Sequence, residues 1–135
     1  MSEQGGATLV LRWVEGRARE VVSAMQEHDA SRLANMASTP FYFDGQVLSS
    51  KAAIRQAYMR MFPRKRSARL EGMTATTAGD LLASDPEGRM GAVGLSQDDA
   101  LVVSLMGDNV RKEAVIFAFR RAKGAPKFVG WWHGP

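Results

Sequence analysis

The 135-residue chain contains no cysteine, and its only histidines are His28 and His133. The missing thiols exclude disulfide bonds, thiolate catalysis and cysteine-ligated metals. Two histidines so far apart in sequence are interpreted as surface residues rather than as the ligands of a metal. The chain also lacks a glycine-rich phosphate loop and a serine in a nucleophile-elbow motif. We therefore predict a domain that uses neither a metal nor a cofactor.

Long apolar runs are missing as well. None approaches the ~20 residues that would span a bilayer. The amino-terminal residues lack the basic-then-apolar order of a signal peptide. A length of 135 residues is that of one ordinary domain. We expect a single domain over residues 1–135, disordered over 1–6, that resides in the cytoplasm away from any membrane.

Basic residues outnumber acidic ones, which gives the chain a net charge of +4. The segment Arg60–Arg69 contains five cations and no acid. It has two interpretations, a site for phosphate or an acidic partner, or a solvated loop that follows a helix. Phe62 is the only aromatic residue among these cations. Because binding through stacked bases would need more rings than this, nucleic acid is not a predicted partner.

Helical and extended patterns divide the chain. Apolar residues recur at helical spacing over residues 7–28, 30–37 and 51–62. Asp29 is suited to cap the second of these helices, and Ser49 or Ser50 the third. The aromatic run at 41–48 reads as a strand or hairpin arm. Strands are also predicted over residues 67–76, 89–95, 100–106, 114–120 and 128–132.

The last three of these strands are separated by short turns, so they must pair antiparallel. Residues 77–88 have no clear pattern beyond a turn signal. At the carboxy-terminal end, Trp131 and Trp132 are adjacent, and a regular strand must point them to opposite faces. One of them is therefore expected to serve the interior and the other an interface.

Two short motifs lie at the junctions of these elements. Glu27–Leu33 joins the first two helices, and Pro40–Gly45 leads through a strand toward the helix that starts near Lys51–Ile54. With the order of elements, they resemble the nuclear transport factor 2-like superfamily, which includes ketosteroid isomerases, polyketide cyclases and scytalone dehydratase. The resemblance implies an α+β cone, with three amino-terminal helices packed in the concave face of a strongly bent antiparallel sheet. It also implies a pocket at the open end and a homodimer through the outer sheet face.

The resemblance places Asp44 near the general-base aspartate of ketosteroid isomerases, where an apolar cavity would raise the pKa of a carboxyl. The alternative is that Asp44 and Gly45 simply form a turn. Two departures argue against the isomerase reaction. Val21 and Val22 lie near the position of an oxyanion-stabilising tyrosine, and the strand Leu101–Met106 carries no second aspartate.

Aromatic residues complete the predicted site. Tyr42 is predicted to lie on the same strand face as Asp44, because residues two apart point the same way. The predicted ligand pocket is lined by Trp13, Tyr42, Tyr58, Phe62 and Trp131, although core packing is an alternative for each of them. Two functions therefore stay open. One is a small-molecule-binding domain with an apolar pocket, whose isomerase, dehydratase or cyclase chemistry is undecided. The other is a non-catalytic dimeric module for protein interaction.

Overall fold

The computed structural model describes residues 14, 16–62, 69–77, 94–95, 99–107, 112–120 and 126–133. Their helices and strands follow the predicted order, but the strand predicted over 89–95 lies outside the described residues except for Gly94 and Leu95, which are not in a strand. The elements are helix α1 (16–26), helix α2 (Ala30–Met36), strand β1 (Ala37–Phe43), strand β2 (Gln46–Leu48), helix α3 (Lys51–Met61), strand β3 (Arg69–Thr77), strand β4 (Ala100–Gly107), strand β5 (Lys112–Arg120) and strand β6 (Lys127–His133). The uncertain segment 77–88 lies outside the described residues except for Thr77, which ends β3.

Side-chain caps start two of the helices as predicted. The Asp29 carboxylate accepts a hydrogen bond from the Arg32 backbone N–H at 3.1 Å, and the Ser50 hydroxyl accepts one from Ala53 N–H at 3.1 Å. Each cap satisfies a backbone donor that has no partner within its own helix. His28, with φ of 55°, makes the turn between α1 and α2. These caps and this turn therefore fix where α2 and α3 begin.

The motif at 40–45 forms a β-hairpin. Phe43 pairs with Gln46, and the two residues between them, Asp44 and Gly45, have φ values of 37° and 108°. Positive φ at both central positions is the geometry of a two-residue type I′ turn, for which Asp-Gly is a favoured sequence. Strand β1 starts earlier than predicted, at Ala37, so Pro40 lies within the strand. Proline is tolerated there because the β1–β6 register shifts between Ala37 and Tyr42.

The described strands form one sheet in the order β2-β1-β6-β5-β4-β3. Four of the neighbouring pairs are antiparallel, and β1 with β6 is parallel. The predicted class, α+β with helices on one face of a largely antiparallel sheet, is confirmed. The parallel pair was not predicted; it joins the first strand to the last and so brings the hairpin beside the tryptophans.

The core lies between the helices and one sheet face. Alternate residues of β5, namely Val115, Phe117 and Phe119, enter it together with Phe128 and Trp131 of β6. The helices contribute Val14, Ala18, Val21, Leu33, Ile54 and Tyr58. Burial of an apolar side chain of this size stabilises the fold by about 1.5–3 kcal/mol, so this one face carries much of the stability.

Strand β3 is an edge of the sheet and is not regular. Gly72 has φ of 71°, and the pairing with β4 shifts between Glu71 and Thr74. Beside this irregularity, the Gln26 side-chain amide of α1 donates a hydrogen bond to the Leu70 carbonyl at 3.3 Å. A bulge and a side chain that occupies a backbone acceptor both make an edge a poorer template for another strand.

Strands β1 and β6 approach closely at one glycine. A Cβ on Gly130 would lie 3.1 Å from the Tyr42 backbone oxygen and 3.1 Å from the Tyr42 Cβ. Both atoms belong to a strand that is held on its other side by β2. The absence of a side chain at 130 is therefore what lets the parallel pair form at this spacing.

Replacement of Gly130 by alanine is expected to lower the free energy of unfolding by about 1–3 kcal/mol, because the new methyl group crowds the Tyr42 backbone. Gly16→Ala is the matched control. Gly16 is helical, and a Cβ there would meet nothing within 4 Å. It should raise the free energy of unfolding by about 0.5–1 kcal/mol. Urea unfolding followed by circular dichroism measures both free energies of unfolding. A Gly130→Ala protein as stable as the wild type would contradict the close approach of residue 130 to Tyr42.

Candidate functional site

Four rings form a column, here called the aromatic stack, from the α1–α2 turn into the core. His28 stacks on Phe62 with ring centroids 4.8 Å apart, Phe62 on Tyr58 at 5.7 Å, and Tyr58 on Trp131 at 6.1 Å. The planes of successive rings differ by 19°, 20° and 25°. His28 is half-buried and Trp131 fully buried, so the stack leads from the surface inward.

Tyr58 is enclosed by further aromatic rings. The Phe43 ring meets it edge-on at 4.9 Å, and the Phe41 ring lies tilted at 6.4 Å. Edge-to-face contacts of this kind add about 0.5–1.5 kcal/mol to the burial of a ring. The walls around Tyr58 thus come from α3, β1 and β6.

The hydroxyl of Tyr58 is the unusual atom in this setting. Its side chain is fully buried, and the hydroxyl makes no hydrogen bond with any residue that the structure describes. Burial without a partner costs a polar group about 1–3 kcal/mol. A phenylalanine would fill the same space without that cost, so packing alone does not explain a tyrosine here.

Burial also changes the acidity of this group. Loss of water around the phenol raises the pKa of Tyr58 well above its ordinary value, because the charged phenolate would be poorly solvated. The hydroxyl therefore stays protonated at neutral pH. In that form it can donate one hydrogen bond and accept others.

An open groove of about 490 Å³ lies elsewhere, between α1 and the edge strand β3. Its polar lining comes from Arg19, Ser23, Gln26 and Glu27, and its apolar lining includes Val22 and Leu70. None of the predicted site residues that the structure describes borders this groove. Glu27 is held by Arg32 at 3.1 Å, and Gln26 is bound to Leu70, so two of its polar groups are already engaged.

Neither a metal site nor a membrane span is found in the part of the chain that the structure describes. No group of three or more histidine, cysteine, aspartate or glutamate residues is placed there to hold a metal ion. None of the described helices is long and apolar enough to cross a bilayer.

No protein-family model matches the chain, and no curated protein does. Solved structures do match. A protein from Caulobacter vibrioides, described as uncharacterised with a cystatin-like fold, has a TM-score of 0.61 at 11% identity, covering 92% of this chain and 87% of its own. A cystatin-like fold protein from Burkholderia xenovorans has a TM-score of 0.59 at 18% identity, and the match covers 92% of this chain and 89% of that protein. A domain of unknown function from Nostoc punctiforme has a TM-score of 0.57 at 13% identity, and the match covers 93% of this chain and 76% of that domain. The chain has the cystatin-like fold.

At these identities the likeness shows the fold alone. The resemblance to the nuclear transport factor 2-like superfamily is therefore confirmed as a statement about architecture. The reactions and ligands of that superfamily are not transferred by it. What the site does must be argued from this chain's own residues.

Three of the predicted pocket residues come together in the cystatin-like core. Tyr58, Phe62 and Trp131 are consecutive members of the aromatic stack. All three are buried among other side chains of the core. Their juxtaposition is as predicted, and their role in binding a ligand stays a prediction. Trp13 lies outside the described residues.

The predicted position of Asp44 is wrong. It is exposed and belongs to the hairpin turn rather than to the wall of an apolar cavity. Its backbone N–H donates to the Trp131 carbonyl at 3.0 Å, which fixes the turn against β6. The local turn preference of Asp-Gly thus determines its place, as the alternative interpretation had it.

Tyr42 also lies elsewhere than predicted. Phe41 and Phe43 point into the core, so the intervening Tyr42 lies on the opposite sheet face, where its ring meets Trp132 edge-on at 5.4 Å. Tyr42 and Tyr58 are therefore separated by the sheet. The prediction that Trp131 and Trp132 face opposite ways is confirmed.

Some residues of the site were not predicted. Side chains alternate between the two sheet faces along residues 41–43. A prediction with Tyr42 on the outer face would therefore have placed Phe41 and Phe43 in the core. His28 had no sequence signal that would place it on Phe62.

Tyr58→Phe is expected to leave stability at neutral pH unchanged or raise it by up to about 1 kcal/mol, because no described hydrogen bond is lost. Above pH ~10, the ordinary tyrosine pKa, the unfolded wild-type chain releases a proton that the folded chain retains. Wild-type stability should then fall with a slope of up to about 1.4 kcal/mol per pH unit from this group, and the variant should lack that contribution. Urea unfolding across this pH range measures the difference. A large loss of stability in Tyr58→Phe at pH 7 would contradict the finding that the Tyr58 hydroxyl makes no hydrogen bond with the described residues.

Proposed function

We propose that this chain binds a small, cyclic and mainly apolar molecule that carries one carbonyl or hydroxyl oxygen. The observation that carries the proposal is the buried Tyr58 hydroxyl, which has no hydrogen-bond partner among the described residues. A ligand oxygen would satisfy it and recover the cost of its burial.

The surroundings of Tyr58 support this choice of ligand. Phe41, Phe43, Phe62 and Trp131 present rings to it, and these bind flat apolar groups by dispersion and by edge-to-face contact. A site with many apolar walls and few polar groups is typical of small-molecule binding in proteins. The single hydroxyl would fix the orientation of the bound molecule.

The proposal is one of binding and does not include a reaction. Asp44, the predicted general base, is exposed at the hairpin turn and is not enclosed by apolar side chains. A proton transfer needs a base within hydrogen-bond reach of the reacting atom. The Tyr58 phenol can donate a hydrogen bond to a ligand oxygen, but because it keeps its own proton at neutral pH it cannot serve as a base there.

A pair of probes tests the role of the hydroxyl: 1-tetralone, a bicyclic ketone, and tetralin, the hydrocarbon of similar shape without the oxygen. Wild-type protein should bind 1-tetralone more tightly than Tyr58→Phe does, by about three- to tenfold, which is the value of one neutral hydrogen bond. Tetralin should bind both proteins equally. Isothermal titration calorimetry or the quenching of tryptophan fluorescence reports the affinities.

Asp44→Asn is the matched control, since it changes the other predicted polar residue at an exposed turn that tolerates either side chain. Its affinity for 1-tetralone should equal that of the wild type. The proposal fails if Tyr58→Phe binds both probes as the wild type does, or if only Asp44→Asn loses affinity for the ketone.

We also propose that the chain forms a homodimer through the outer sheet face. Tyr42 and Trp132 lie there edge-to-face and only partly buried, and Val47, the register partner of Tyr42, is 41% exposed. Aromatic residues are enriched in interfaces, and an apolar row on a sheet face is suited to a second copy of itself. This contact supports the alternative function, a dimeric interaction module, and is compatible with ligand binding on the inner face.

Val47→Lys is expected to dissociate this dimer, because it places a charge in an apolar contact. Gln46→Lys is the control, since Gln46 is exposed on the same short strand but pairs with the inward-facing Phe43. Light scattering should give twice the 14.8 kDa chain mass for the wild type and Gln46→Lys, and the single mass for Val47→Lys. A wild-type monomer would exclude the dimer.

A further inference from the structure

Positive charge is concentrated in one part of the chain. Residues 45–70 contain seven of the 18 basic residues and none of the 14 acidic ones, so the remainder of the chain carries a net charge of −3. Globular surfaces usually intersperse the two signs. Such a segment attracts anions over about a Debye length, roughly 8 Å at physiological salt.

Helix α3 carries three of these seven basic residues, Lys51, Arg55 and Arg60. Ile54 and Tyr58 are buried, whereas Arg55, Met59 and Arg60 are exposed. At about 100° per residue, Met59 lies between the two arginines around the helix. The exposed side of α3, here called the basic face, therefore has an apolar centre flanked by two guanidinium groups. Ala52, next to Met59 on this side, and Gln56 complete it.

The arginines of the basic face are not neutralised by the described protein. Arg17 pairs with Glu20 and Arg32 with Glu27, each at 3.1 Å. No ion pair or hydrogen bond joins Arg55 or Arg60 to another described residue. The third cation of the helix, Lys51, donates to the Asn35 carbonyl at 2.9 Å and is thus committed to the α2 end.

Met59 is the second unusual member of the basic face, since it is 51% exposed. Methionine and arginine are both enriched in protein interfaces, and methionine adapts to partner surfaces of different shape. A purely electrostatic site would have no use for an apolar group at its centre. The aromatic rings of α3, Tyr58 and Phe62, are buried and cannot stack on bases.

We propose that the basic face of α3 docks an acidic protein segment in which an apolar side chain lies among carboxylates. The carboxylates pair with Arg55 and Arg60, where the planar guanidinium can form two parallel hydrogen bonds. The apolar side chain covers Met59. Charge complementarity favours association with the partner. The contact with Met59 makes binding selective for this segment over other polyanions.

The probe is a short fluorescein-labelled peptide in which glutamate alternates with leucine, and its binding is measured by fluorescence anisotropy at low salt. Two companion peptides replace either every glutamate by glutamine or every leucine by serine. Wild-type protein should bind the glutamate–leucine peptide at least about tenfold more tightly than the glutamine peptide, with affinity falling as salt is added.

Arg55→Glu and Lys127→Glu form a matched pair, because each lowers the net charge equally at an exposed position, one on α3 and the other on β6. Arg55→Glu should weaken binding about tenfold and Lys127→Glu less than about twofold. Met59→Gln, which keeps length and helix propensity, should weaken the leucine peptide about fivefold and leave the serine peptide unchanged. Circular dichroism verifies that the variants remain folded.

Two results would overturn the proposal. Equal losses in Arg55→Glu and Lys127→Glu would mean adsorption governed by net charge rather than a site on α3. Tighter binding of an oligothymidine strand than of the peptide, lost in Arg55→Glu and unaffected by Met59→Gln, would assign the basic face to nucleic acid. The proposal is supported if the affinity for the glutamate–leucine peptide falls in Arg55→Glu and in Met59→Gln but stays nearly unchanged in Lys127→Glu.

Discussion

The contact of Tyr58 with the rings of β1 and β6 holds the principal parts of this cystatin-like domain together. Tyr58 belongs to α3, Phe41 and Phe43 to the hairpin, and Trp131 to the last strand. The last strand is distant in sequence from the hairpin and α3, which are adjacent, and the parallel β1–β6 pair brings it beside the hairpin. The ring contact thus joins α3 to both strands.

The same contact creates a conflict between packing and polarity. Every neighbour that makes Tyr58 a good core residue also keeps water and polar groups from its hydroxyl. Natural sequences retain such conflicts mainly at functional sites, where another molecule resolves them. The proposed ligand would account for a tyrosine at a position where stability alone would favour phenylalanine.

Local signals made most of the architecture predictable. The caps at Asp29 and Ser50 and the turn signal at Asp44–Gly45 act over a few residues, so a reader of the sequence can place them. The parallel β1–β6 pairing could not be found in this way, because the two strands are joined only through the whole intervening chain.

The candidate site was predictable in part for the same reason. Helical spacing placed Tyr58 and Phe62 on one face of α3, and alternation separated Trp131 from Trp132. The error at Tyr42 and Asp44 came from extending strand alternation across a residue that no longer belongs to the strand. The place of His28 in the aromatic stack depends on tertiary packing alone, which no local pattern records.

The two ends of the sheet bear on how copies of this protein can associate. Strand β2 has only three residues, and β3 is interrupted at Gly72 while α1 occupies one of its carbonyls. Among the described strands, neither border offers a long row of free amides on which a further chain could extend the sheet. The proposed homodimer would instead use a broad face of the sheet, where a twofold arrangement is complete after one partner and an open-ended polymer is disfavoured.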